Sequence, residues 1–215
     1  MSTTLPPDLD QLQKQYKDHL VFFADLADGP NKGHYSDLTL PVLKIIMITS
    51  GHSNGHWFLG LVQAQSADGT ITKCTYINCK AGKLTPPNDG QTWVGPLSFN
   101  STWYKYDLPV ASGHSARDFL NVLLAPTAKL EDGVMQSIPM VYYQYATDPR
   151  TAGCRHWTES AARAFQRSGL MQDSAETLQT KITEGGKLET ANLANPHGVF
   201  YSPAPLTDDQ GPPYI

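Results

Sequence analysis

The sequence predicts an α+β fold in which an antiparallel sheet packs against helices. Three observations predict it. The middle of the chain holds successive tracts rich in Val, Ile, Leu and aromatic residues, among them "LTLPVLKIIMITS", "HWFLGLVQAQ" and "TITKCTYIN", whose composition and length are those of β-strands. The last two are separated by Asp68-Gly69, a hairpin signal that sets neighbouring strands antiparallel. On either side of this region apolar residues recur every three or four positions, the period of a helix with one buried face. With 215 residues, 40% of them hydrophobic, the chain can bury a substantial core, and residues 1–215 are expected to form one domain.

In order along the chain, Leu9, Leu12, Tyr16, Leu20 and Phe23 make the apolar stripe of an amphipathic helix over about 8–27, with Pro6 and Pro7 suiting its start. The tract "DGPNKGHYSD" is turn chemistry, and the core, about 40–185, opens on the strand of "LTLPVLKIIMITS" and the hairpin. Residues 80–102, rich in Gly, Pro, Asn and Ser, read as a long loop or a pair of short strands, and "TWYKYDLPV" as a strand. "SARDFLNVLLA" is a short helix with Ser115 as N-cap and Phe119, Val122 and Leu123 on one face. "IPMVYYQY" has strand composition. A helix beginning near Cys154 carries Trp157, Ala161, Ala164 and Phe165 at helical spacing. A further helix over 173–184 is expected to end at Gly185-Gly186. From about 195 to 215 prolines and glycines give an irregular tail.

Composition excludes several function classes. A formal net charge of −4 leaves no basic surplus to neutralise a phosphate backbone, so nucleic acid is not an expected partner. No apolar stretch reaches the roughly 18 residues needed to cross a bilayer. The amino terminus lacks the charged start and apolar block of a secretory signal, and the three cysteines make a disulfide framework improbable, so a cytoplasmic location is expected. Cys74 and Cys79 have no matching His or Cys pair and read as structural, with no metal site and no cofactor implied.

The chemistry concentrates at Cys154 and His56. A thiol in the first turn of a helix meets the positive end of the backbone dipole and unpaired N–H groups, which favour the nucleophilic thiolate. Gly153 leaves room for a substrate carbonyl, and the N–H of Cys154 or Arg155 suits an oxyanion hole. A lone cysteine is nevertheless more often core than catalyst. His56 opens a strand, and because side chains alternate, either His56 faces a cleft while Trp57 enters the core or the reverse. A third residue to orient the imidazole is offered by Thr75, Tyr76, Asn78, Asn88 or Asp89, of which Asn78 is the choice. Trp57, Trp93, Trp103, Tyr143, Arg155 and Trp157 are expected to line a substrate pocket, against the alternative that the aromatic residues fill the core.

The early "NGHW" and late "GCRHW" resemble the motifs of a family of uncharacterised fungal proteins that carry Asn-His-Trp and then Gly-Cys-Arg-aromatic-Trp. The order, His on a strand before Cys on a helix, resembles circularly permuted papain-like proteins, the lecithin:retinol acyltransferase-like and NlpC/P60-like groups. Ordinary papain-like enzymes have the cysteine first. This sequence departs from the motif by Gly55 between Asn54 and His56. The resemblance implies a permuted papain-like fold and a cysteine-dependent hydrolase or acyltransferase acting on a small molecule or peptide. Two alternatives stand beside it: a papain-like binding module with Cys154 merely packed, and acid/base chemistry by His56 on a metabolite without a thioester.

Overall fold

A computed structural model of the chain describes residues 5–24, 35–49, 56–81, 90–97, 104–125, 128–129, 135–136, 139–144, 153–187 and 199–200. The described helices are α1 (Pro7–Tyr16), α2 (Ala116–Leu124), α3 (Gly153–Arg167) and α4 (Ala175–Lys187). The larger strands are β1 (Leu20–Phe22), β2 (Lys44–Thr49), β3 (Trp57–Gln65), β4 (Ile71–Ala81), β5 (Gly90–Pro96) and β6 (Tyr104–Pro109). They form one six-stranded sheet in the order β1-β5-β4-β3-β2-β6. The architecture is α+β. The sheet is mixed rather than wholly antiparallel, because β1 runs parallel to β5 while the other pairs are antiparallel. The β3–β4 hairpin turns at Gly69, whose φ of 83° is left-handed, a conformation open to glycine at no steric cost.

The expected helix over 8–27 is shorter. It ends at Tyr16, where Lys17 takes a φ of 44°, and after one 3-10 turn the chain becomes β1. Leu20 and Phe22 keep the apolar spacing, but they bury their side chains at the sheet edge instead of on a helix. The Gln13 side chain accepts the Phe22 N–H at 2.9 Å, tying the helix to the strand it precedes. Within "IPMVYYQY" only Tyr143–Gln144 is extended among the described residues, pairing with Val199–Phe200, so part of the expected irregular tail is strand. A separate two-residue pair joins Ala128–Lys129 to Met135–Gln136. Gly185 and Gly186 do not end α4, which runs to Lys187.

Both faces of the sheet are buried. On one face Ile45, Met47, Trp57, Leu59, Leu61, Ile77 and Val94 pack with Phe119 and Leu123 of α2 and Trp157 and Phe165 of α3. On the other, Ile46, Ile48, Phe58, Val62, Cys74 and Tyr76 pack with Phe23, Trp93 and Leu97. This explains why β3 reads as an almost unbroken apolar run, since a strand covered on two sides has no polar face. The N-terminus of α2 is fixed by a capping box: Ser115 Oγ accepts the Asp118 N–H, and the Asp118 carboxylate accepts the Ser115 N–H. α3 lies across β3 and β4 and also touches α2 and α4, which sets its first turn at one end of the sheet. Among the described residues no helix is long and apolar enough to cross a membrane.

Candidate functional site

Cys154 is the second residue of α3, and its sulfur accepts the backbone N–H of Trp57 at 3.5 Å. That nitrogen is bonded to the carbonyl carbon of His56, so the sulfur lies no more than about 6 Å from the His56 Cα. The sheet is split at this place. Pairing between β3 and β4 stops at Leu59–Ile77, although β3 begins at Trp57 and β4 continues to Ala81 in register with β5. On its other side β3 stays paired with β2 as far as Thr49–Trp57. The resulting notch has His56 at the lip of one strand and Asn78, Cys79 and Lys80 on the other.

Alternation along β3 sends Trp57 under α3, where it is fully buried, and puts His56 with Phe58, their rings 6.1 Å apart and 30° from coplanar. Of the two orientations open in the sequence, the tryptophan therefore takes the helix-covered core. Tyr76, Asn78 and Lys80 project from β4 to the same face as His56, as the two-residue spacing requires. Asn78 is wholly buried and its amide donates to the Tyr76 hydroxyl.

Burial is the largest influence on the titration of His56 and Tyr76. Burial lowers the His56 pKa from its ordinary 6.5, because removing the imidazolium from water disfavours it. The side-chain hydrogen bond with Asn78 acts in the opposite direction, and the nearby Lys80 charge adds to the lowering. Tyr76 is pushed well above its ordinary value by burial, with the hydrogen bond to Asn78 opposing and the Cys154 and Cys79 sulfurs adding to it. The Cys154 sulfur is thus within electrostatic reach of the hydroxyl that holds Asn78. His56, Asn78 and Cys154 are brought to one end of the sheet.

The expected pocket residues are dispersed. Trp57, Trp157 and Tyr143 have no exposed surface and fill the core under α3 instead of lining a pocket. The indole of Trp157 donates to the Met140 carbonyl at 3.0 Å, and the Tyr143 hydroxyl lies 3.1 Å from His156 Nδ1. Their bulk and their internal hydrogen bonds make them anchors of α3. Arg155 pairs with Glu159 one turn on, at 2.9 Å, while its guanidinium covers the Trp57 ring at 5.3 Å. Trp93 is half-buried on the His56 face, beneath the Lys80 ammonium at 4.6 Å. Trp103, Asn88 and Asp89 lie outside the described residues, as do Asn54 and Gly55.

Lys80 was not singled out by the sequence, because a lysine near a strand end reads as a solvated residue. The signal available was the period of two in "YINCK", which places Tyr76, Asn78 and Lys80 on one face. Among the described residues no cluster of three or more His, Cys, Asp or Glu could hold a metal ion. Compared with models of known families, with curated proteins and with solved structures, the chain matches none.

Proposed function

We propose that the protein is a cysteine-dependent hydrolase or acyltransferase, with Cys154 as nucleophile, His56 as general base and Asn78 orienting the imidazole, in a permuted papain-like arrangement. One observation carries the reading: the sulfur at the start of α3 accepts the N–H of the residue following His56, at the end of the sheet where Asn78 stands on the neighbouring strand. A cysteine packed only for its volume has no need of that coincidence.

The His56 imidazole is neutral near pH 7, since burial disfavours its cation, and a neutral imidazole is the form that accepts a proton. As the sulfur attacks an acyl carbonyl carbon, the thiol proton passes to His56. The tetrahedral oxygen is met by backbone N–H groups of the first turn of α3, which have no partner within the helix. Collapse expels the alcohol or amine, which takes the proton back from His56, and leaves the acyl group as a Cys154 thioester. Water then hydrolyses it, or a second alcohol or amine accepts it. The substrate is a small molecule or an extended peptide, because Cys154 is only 8% exposed and a bulky acyl group would not enter the notch.

The test is covalent trapping. Incubation with activated esters followed by peptide mass spectrometry is expected to find the acyl group on Cys154 and not on Cys74, whose thiol burial pushes well up, or on Cys79, which has no exposed surface. Absence of any adduct on Cys154 over a panel of esters and thioesters would leave the binding module as the better reading.

A further inference from the structure

Lys80 stands on the His56 face of β4, its ammonium 4.6 Å from the centre of the Trp93 ring and 5.7 Å from that of Tyr76. It forms no ion pair with any described residue, whereas Lys44 and Lys181 hold the carboxylates of Asp107 and Asp173 at 2.7 Å. Ring faces attract a cation but offer no oxygen acceptor to its three N–H donors. The same ring contact holds a flexible four-carbon stem in one place, so a ligand meeting it loses little of the entropy that a free lysine would cost. Lys80 is moreover close enough to His56 for its charge to bear on the imidazole.

We propose that Lys80, held over the Trp93 and Tyr76 rings, is the anion-binding residue of this site and selects acyl substrates that carry a carboxylate. The inference rests on the reading of Cys154 as nucleophile and names its substrate class. A bound carboxylate would cover the lysine charge that His56 feels, alongside Asn78, Tyr76, Phe58 and Cys154. Substrate binding would therefore strengthen the base at the moment it is needed.

Iodoacetate and iodoacetamide test this with one difference between them, a carboxylate in place of an amide. Each forms a carbon–sulfur bond and releases iodide, and the rate at Cys154 is read by peptide mass spectrometry. The ratio of the iodoacetate rate to the iodoacetamide rate is expected to fall about tenfold in Lys80→Met, as the loss of one close charge contact implies, and to recover in Lys80→Arg. An unchanged ratio in Lys80→Met, with Cys154 still reactive, overturns the proposal and leaves the nucleophile in place. If neither reagent modifies Cys154, the nucleophile reading fails, and the anion site is decided by NMR titration of His56 with and without succinate. A midpoint that succinate raises in the natural protein but not in Lys80→Met supports the site, and a midpoint that succinate leaves unmoved in both overturns it. Unchanged melting temperatures of the variants establish that the fold is intact.

Discussion

The proposed acyl chemistry turns on the position of Cys154. Its sulfur is both nearly enclosed and bonded to the Trp57 amide, so Cys154→Ala is expected to abolish acyl turnover and to cost about 1 kcal/mol of stability from the small cavity left. Turnover and melting temperature measured together check this, and activity persisting in the variant would end the nucleophile reading. His56 makes a separate prediction about pH. Its pKa is lower in the folded chain than the ordinary 6.5 of an unfolded one, so below about that value the unfolded chain binds a proton that the folded chain refuses. Stability is then full above pH 6.5 and falls as the pH drops through the folded value. His56→Gln should flatten the melting temperature between pH 7 and pH 5, and an unaltered slope would show that the imidazole is not sequestered. At this scale the positions of His56 just before a strand and Cys154 in the first turn of a helix were legible, because a strand start and a helix start are local patterns, whereas Asn78 was one choice among five candidates. For Lys80 the period of two gives the face but not the ring contacts, which depend on Trp93 arriving from the next strand.

Single elements show where local pattern and tertiary context agree and where they part. α2 was legible from sequence because Ser115 and Asp118 satisfy the first N–H groups of the helix whatever lies around them. Ser115→Ala is accordingly expected to cost about 1 kcal/mol, within the range of lost N-caps, measured by denaturant midpoint. The segment 17–23 was misread because Leu20 and Phe23 fit a helical stripe, yet the free edge of β5 offers hydrogen bonds that a helix continuation would leave unmade. Packing there is tight. A Cβ on Gly95 would stand 2.6 Å from the Phe23 ring, so Gly95→Ala should destabilise by about 1–3 kcal/mol through overpacking. If the clash is the cause, adding Phe23→Leu should recover part of the loss, and strict additivity of the two costs would refute it.

The whole molecule is organised by a sheet buried on both faces, and this decides why its general class was readable while its topology was not. Apolar runs in β2 and β3 announce buried strands, but nothing local distinguishes a β4 that stays with β3 to its end from one that parts from it after Ile77. Cys154 meets the Trp57 N–H just beyond that last pair, so the meeting of the two segments is set by tertiary packing and not by any motif. The edge is equally non-local. β1 covers β5 in parallel while Leu9, Leu20 and Phe22 join the core, and the Tyr16 hydroxyl reaches the Leu124 carbonyl at 3.3 Å. Removing residues 1–23 would uncover the ladder groups of β5 and the apolar side chains beneath it, an unprotected strand edge of the kind that recruits another chain. The truncated protein is expected to self-associate on size-exclusion chromatography with light scattering, whereas Leu20→Ala, which keeps the edge paired, should remain in the natural protein's state and lose about 2–5 kcal/mol. A truncated protein that matched the natural one in association and melted cooperatively would show that β1 decorates the sheet without completing it.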